Sequence, residues 1–346
     1  MERNANSYTG PTWRQLLAEG TEMLSRAGIA EAELDAWYLM SSAFEIDRIH
    51  YFLDQNTVVR AERLEGGYEA YMDALQRRAA RIPLQQILGS QEFMGLSFSV
   101  NEHVLIPRQD TEKLVETVLY ECRDREISLL DMCTGSGCIA LSLAVLGGYR
   151  RVTAADISEE ALKVAKKNAK RLFLVQKGTV RSRSFQVSEE PWKLELKSWV
   201  VSDGLKKGIS GGRCSLKEAA LAAEERSFTL LQGNLFENIG PEERYDVIVS
   251  NPPYIPSAVI AGLEPEVRDH EPRLALDGRE DGLYFYRALA LECSRHLTAG
   301  GTVFFEIGHD QSAKVEKILA LAGYSEIETM KDEPGLDRVV RARWNR

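Results

Sequence analysis

At 346 residues the chain is longer than one hydrophobic core usually serves, so two domains are expected. Hydrophobic residues at 44% and charged residues at 27% are ordinary globular values and exclude a disordered or fibrous chain. A net charge of −9 argues against a protein that grips a long nucleic acid, because phosphate neutralisation needs clustered Lys and Arg, and no stable nucleic-acid binding is expected.

The opening MERNANSYTG lacks the basic-then-apolar pattern of a signal peptide. No run of about 18 apolar residues follows that could span a bilayer, so the expectation is a cytoplasmic protein without membrane contact. Cys122, Cys133, Cys138, Cys214 and Cys293 are odd in number and lack paired metal-ligand spacing, which predicts free thiols and no metal site.

Residues 1–82 read as a helical domain. Thr12 is placed to cap a helix that runs to Ala27 with Gly28 as its stop, and Leu64, Tyr68, Tyr71, Met72 and Leu75 recur at helical spacing. Residues 83–106 change to the extended pieces QQILGSQEF and LSFSVNEHVLI around Gly95, which predicts a β-hairpin linker and a boundary near Arg81. From 107 to 346 the short apolar runs ISLLD, VTAAD, FTLLQG, YDVIVS and TVFFEI alternate with helical stretches, the signature of an α/β fold with a mostly parallel sheet. SEIETMK and DRVVRARW, joined by DEPGL, should close it as an antiparallel hairpin. Residues 177–227 interrupt this rhythm with Trp192, Trp199, the turn-rich GISGGRC and a capping box from Ser215 to Glu218, and are expected to be a solvated surface insertion.

Two loops carry chemistry. Asp131, Cys133, Thr134, Gly135, Ser136 and Gly137 follow a strand and open a helix near Ile139, so a ligand can approach the backbone where helical N–H groups seek an acceptor. Asp156 ends the next strand, 19 residues beyond Gly137, where a carboxylate can accept from both hydroxyls of a ribose. Gly135-x-Gly137-x-x-Ala140 also satisfies the nicotinamide fingerprint, which keeps a dehydrogenase as a rival. That rival would need its own proton donor, and His50, His103, His270, His296 and His309 form no evident catalytic pair. After the third strand Asn234 could accept from an adenine amino group and Leu235 could cover the ring.

Asn251, Pro252, Pro253 and Tyr254 follow the strand YDVIVS directly. The prolines fix φ and push Asn251 into an extended conformation, so one side chain and one carbonyl are held in set directions. An amide or exocyclic amine nitrogen is a poor nucleophile because its lone pair is delocalised. Two acceptors, the Asn251 side-chain oxygen and the Pro252 carbonyl, could bind its two N–H bonds and stabilise charge building on nitrogen. Tyr254 would stack on the flat acceptor and face a sulfonium cation. An intact N-P-P-Y speaks against a non-catalytic, cofactor-binding scaffold.

These segments resemble the release-factor glutamine methyltransferases, once called HemK. The resemblance spans nearly the whole chain through RIPLQQILGSQEFMGLSFSV, VLIPRQDTEKLVE, DMCTGSGCIALSLA, AADIS, QGNLFE, SNPPYIP and EPRLALDGREDGLYFYR. It implies a Rossmann-like class I fold dependent on S-adenosylmethionine, with residues 107–346 as the methyltransferase domain and the helical domain helping to dock the protein substrate. It further implies methyl transfer to the glutamine side chain in the Gly-Gly-Gln loop of peptide chain release factors. By that resemblance Asp131 to Gly137, Asp156, Asn234, Leu235 and Asn251 hold the cofactor, and Asn251 to Tyr254 grip the glutamine. Cys133, Gln109 and Asn234 depart from the family's usual glycine, proline and aspartate. A ribosomal-protein glutamine, or an amino group of DNA or RNA, is the alternative acceptor.

Overall fold

The computed structural model describes residues 10–173, 187–190, 193–197 and 227–345. Trp192, Trp199, Cys214 and the expected capping box from Ser215 to Glu218 lie outside them. The described chain forms two compact units, one running to Gly89 and including Glu264–His270, the other holding the rest.

The first unit is helical, with α1 (Trp13–Arg26), α2 (Ala32–Phe44), α3 (Arg48–Asp54), α4 (Ala61–Ala79) and α5 (Leu84–Leu88). Thr12 and Gln15 form a reciprocal capping box at the start of α1: Gln15 N donates to Thr12 Oγ1 at 3.3 Å and Thr12 N to Gln15 Oε1 at 2.8 Å. Leu16 and Leu24 of α1 pack with Ala36 and Met40 of α2 and with Tyr71 and Leu75 of α4. Burial of these apolar faces, more than propensity, holds helices of this length together. The extended reading of QQILGSQEF holds only from Ser90, because Leu84–Leu88 is a helical turn entered from Pro83 and closed by Gly89 in the left-handed region. Five residues carry too little periodicity to tell a turn of helix from a strand.

In the second unit β1 (Ser90–Phe93) and β2 (Leu96–Ser99) form an antiparallel hairpin. Met94 and Gly95 both have positive φ, the arrangement that suits a two-residue hairpin loop. The remaining elements, in chain order, are α6 (Gln109–Glu121), β3 (Ser128–Met132), α7 (Cys138–Ser142), β4 (Arg151–Asp156), α8 (Glu159–Phe173), β5 (Val187–Glu190), β6 (Lys193–Lys197), β7 (Ser227–Gln232) and β8 (Tyr245–Ser250). They continue through α9 (Pro265–His270), which belongs to the first unit, to α10 (Arg273–Leu276), α11 (Tyr284–His296), β9 (Leu297–Glu306), α12 (Ser312–Ala322), β10 (Ser325–Lys331) and β11 (Asp337–Arg343).

Among the described residues one sheet has the order β10-β11-β9-β8-β3-β4-β7-β6-β5. The five inner strands from β9 to β7 are parallel, and β10 and β11 close one end as the expected antiparallel hairpin. β5 and β6, within the interruption at 177–227, pair antiparallel with each other and with β7, so this part of the interruption extends the sheet. Side chains alternate across the buried strand β3: Leu129 joins Val247, Val249 and Phe304 on one face, and Leu130 and Met132 join Ile248, Val303 and Phe305 on the other. β3 sits between β4 and β8, so the loops after all three emerge together at the carboxyl edge, where ligands bind in open α/β sheets. No helix among the described residues is long and apolar enough to cross a membrane.

Candidate active site

At that edge lies a cavity of 240 Å³. Cys133, Thr134, Gly135, Ser136, Asp156, Asn234, Leu235, Asn251 and Pro253 line it, whereas Asp131, Gly137, Pro252 and Tyr254 do not. The cavity brings the loops after β3, β4, β7 and β8 to one volume within the second unit.

The loop after β3 is tied down from beneath. Asp131 is fully buried, and its Oδ2 accepts from Thr134 Oγ1 at 2.6 Å and from Ala140 N at 3.1 Å, capping α7 from the strand. Burial pushes its carboxyl up to about 7, against the hydrogen bonds from Thr134 and Ala140. Gly137 has φ +81°, and a Cβ there would stand 3.0 Å from Leu141 Cδ1 and 3.2 Å from Ala165 Cβ, so glycine lets α7 pack on α8. Asp156 braces the loop from the side: Oδ2 accepts from Gly135 N at 2.8 Å and Oδ1 from Ser158 N at 2.9 Å. Each oxygen keeps a second acceptor position for a ligand hydroxyl. Burial raises the Asp156 carboxyl, opposed by the amides of Ser158, Gly135 and Ile157.

Cys133, Leu235 and Arg279 have φ of 65°, 52° and 71°, and all three line this cavity. Non-glycine residues seldom adopt this region, and held strain of this kind concentrates at ligand sites. The backbone at Cys133 is thus one that glycine would occupy without cost. Burial raises the thiols of Cys133 and Cys138, which keeps both neutral.

Asn251 continues directly from β8, and its Nδ2 donates to Thr111 Oγ1 on α6 at 3.2 Å. With the NH2 end so engaged, Oδ1 is the end left to accept. Tyr254 is not among the cavity's lining residues; its hydroxyl donates to Glu306 Oε1 at 3.5 Å, and burial pushes that hydroxyl up. The stacking role expected for Tyr254 is therefore not supported by the cavity's lining.

The segment LDGREDGL, which the sequence offered no physical reason for, clamps the tetrapeptide. Ile255 N donates to Leu276 O at 3.0 Å, Gly278 N to Ile255 O at 2.8 Å and Ser257 N to Arg279 O at 2.8 Å. Gln311 Nε2 donates to Tyr254 O at 3.0 Å. A Cβ on Gly278 would lie 2.8 Å from the backbone of Tyr254, and one on Gly282, at φ +72°, would overlap the Tyr254 carbonyl oxygen. Gly282→Ala is accordingly expected to displace the Asn251 corner, costing about 1–3 kcal/mol by overpacking and about tenfold in turnover. Thermal melts and steady-state kinetics check this, and wild-type values in both would remove the clamp from the argument.

Sequence reasoning missed Thr111, Arg108 and Glu271. Arg108 Nη2 donates to both carboxylate oxygens of Glu271 at 2.7 Å, and Arg108 lines the cavity. Burial raises the Glu271 carboxyl while Arg108 pulls it back. The pairing spans 163 residues of chain, so only the quoted segments IPRQDTE and EPRLAL could have signalled it.

Comparison with known proteins bears on the family. Residues 15–89 match the family described as the PrmC N-terminal domain, and residues 109–193 match ribosomal protein L11 methyltransferase (PrmA). A release factor glutamine methyltransferase of Geobacter sulfurreducens is 35% identical over 332 residues, covering 96% of each chain. The chain belongs to the release factor glutamine methyltransferases. Relatives with the same name include one from Clostridium acetobutylicum, 36% identical and covering 89% of this chain and 90% of that protein. Another, from Caulobacter vibrioides, is 35% identical and covers 92% of each. The ribosomal-protein match ends before Asn251, so it concerns the Asp131 to Gly137 loop and Asp156 but not the acceptor corner.

Proposed function

We propose that this chain transfers the methyl group of S-adenosylmethionine to the side-chain amide nitrogen of the glutamine in the Gly-Gly-Gln motif of peptide chain release factors. The observation that carries this reading is that Asn251, with Oδ1 as its free end, lines the same cavity as the Cys133 to Ser136 loop and Asp156.

The residues present fit the cofactor. Ser136 Oγ is buried beside the Cys138 thiol, and a Cβ on Gly135 would meet nothing within 4 Å, so the loop offers both a polar atom and open space. Asp156 would take the ribose hydroxyls, the Thr134 to Ser136 stretch the amino-acid end, and Asn234 and Leu235 the adenine. S-adenosylmethionine, when bound, supplies an electrophilic methyl group on a sulfonium. Asn251 Oδ1 would accept from an amide N–H of the glutamine, turning the nitrogen lone pair towards that methyl. Such acceptors stabilise positive charge as it forms on nitrogen, and positioning makes the transfer effectively unimolecular. The helical unit would dock the body of the release factor.

Asp156→Ala is expected to weaken cofactor binding by about tenfold or more, the worth of a charge-assisted hydrogen bond; calorimetry returning the wild-type affinity would end the ribose assignment. The function itself is tested by incubating the full chain with labelled cofactor and, separately, a release factor, ribosomal protein L11 and DNA. Label on the release-factor glutamine, located by mass mapping, is the expected result. Label on L11 or DNA with none on the release factor would overturn the proposal.

A further inference from the structure

We infer that Asn168, on α8, is a positioning residue that ties two walls of the cofactor cavity to each other and so sets the affinity for S-adenosylmethionine. This rests on the reading of that cavity as the cofactor site and does not depend on which acceptor receives the methyl group.

The buried face of α8 repeats at helical spacing as Ala161, Val164, Ala165, Asn168, Ala169 and Leu172. Asn168 is the polar member of that stripe and is 0% exposed. Asparagine is a weak helix former, and an amide taken out of water costs free energy unless it is hydrogen-bonded, so packing alone would favour an apolar residue there. Backbone from two distant segments meets the amide instead. Oδ1 accepts from Ser99 N at 2.7 Å, and Nδ2 donates to Ser99 O at 3.1 Å and to Ser136 O at 2.9 Å. A backbone N–H can only donate and a carbonyl can only accept, so these partners admit a single orientation of the amide.

Both segments lead into the cavity. Ser99 ends β2, and the chain beyond it supplies His103, Val104, Leu105, Pro107 and Arg108 to the lining, while Val100 and Val104 pack with Ala161 and Val164 of α8. Ser136 belongs to the loop after β3, where Thr134, Gly135 and Ser136 line the same cavity. Asp131 holds that loop at Thr134 and Asp156 holds it at Gly135, and Asn168 holds the carbonyl that follows, at Ser136. Gly137 then lies against α8 one turn before Asn168, where a Cβ would come 3.2 Å from Ala165 Cβ. Ser136 is 2% exposed, so water cannot replace the Asn168 donor unless the loop moves. Asn168 does not itself line the cavity, so it acts on the cofactor through the segments it joins.

The test compares Asn168→Leu with the wild type in the full chain. Leucine keeps the branched shape and removes both the donors and the acceptor. The calorimetric Kd for S-adenosylmethionine, measured well below the melting temperature of the variant, should rise about tenfold, the worth of one well-made hydrogen bond. Turnover at saturating cofactor and the KM for the acceptor protein should stay within about twofold of wild type, since only cofactor binding is weakened. An amide that merely stabilised the fold would lower the melting temperature and leave the affinity of the folded protein unchanged, and that result overturns the inference. A loss of turnover that saturating cofactor does not restore overturns it as well. Should leucine unfold the chain, Asn168→Asp keeps an acceptor for Ser99 N, lacks the NH2 group and carries the same comparison. A second readout needs no ligand: backbone amide hydrogen exchange at Gly135 and Gly137 should be about tenfold faster in the variant, because the loop opens more easily. Wild-type exchange at both glycines would make Asn168 a tether of the hairpin alone and overturns the inference. A wild-type chain that fails to bind S-adenosylmethionine would count against the proposed function, and the exchange rates would still decide whether Asn168 holds the loop.

Discussion

Asn251→Ala is expected to lower methyl transfer to a release factor by about 100- to 1000-fold, the range seen when one preorganised group facing developing charge is removed. The residue stands at the end of β8, where β3 and β9 flank the strand in parallel register and fix its exit. The side chain adds little to the core, so the melting temperature should stay near that of the wild type. Cofactor affinity should change far less than turnover, because Asp156 and the loop after β3 remain. A single-turnover assay with saturating cofactor separates the two effects. Turnover within about threefold of wild type, worth less than 1 kcal/mol, would remove Asn251 from the chemistry, whatever the substrate proved to be.

The parts of this site legible in the sequence are those made by residues close together in the chain. The loop Asp131 to Gly137 could be read because one strand, one turn and one helix start follow each other within ten residues or so, and Asn251 to Tyr254 because two prolines specify their own backbone. The terminal hairpin was legible for the same reason, β10 and β11 being joined by a short turn. What could not be read is what distant segments do to one another. Thr111 meets Asn251 across 140 residues, and Arg108 meets Glu271 across 163. The role of Gly278 and Gly282 depends on where the Tyr254 backbone passes. Tyr254 itself shows the limit from the other side, since an aromatic residue in a motif was read as a substrate platform and is placed against Glu306. The departures from the family pattern behave similarly. Asn234 keeps an acceptor, and Cys133 takes a left-handed backbone that its type disfavours, a cost of about 1–2 kcal/mol that the surrounding loop must hold.

Arg78→Ala is expected to destabilise the helical unit by about 3–5 kcal/mol, because it leaves the buried Asp35 carboxylate without its cation. Arg78 is 8% exposed, and its Nε donates to Asp35 Oδ2 at 2.6 Å while Nη2 donates to Glu266 Oε1 at 2.9 Å. Asp35 is 7% exposed, so water cannot replace the lost guanidinium. Burial raises the Glu266 carboxyl, but its backbone amide and the side chains of Arg78 and Arg81 outweigh this and hold it below the usual range. Glu266 would keep Arg81 at 2.7 Å after the substitution, so most of the cost falls on Asp35. That asymmetry makes the argument testable by a double replacement. Arg78→Met with Asp35→Leu removes both ends of the buried pair, and it should recover much of the stability that Arg78→Ala loses. Arg26→Ala, which breaks a solvent-exposed pair with Glu22, should cost about 1 kcal/mol or less and serves as the control. Urea unfolding followed by the fluorescence of Trp13 and Trp37, both in the core of this unit, reports the transition. A cost for Arg78→Ala no larger than that of the control would mean that the helical unit relies on apolar packing alone, and that the ion pairs to Glu264–His270 merely accompany it.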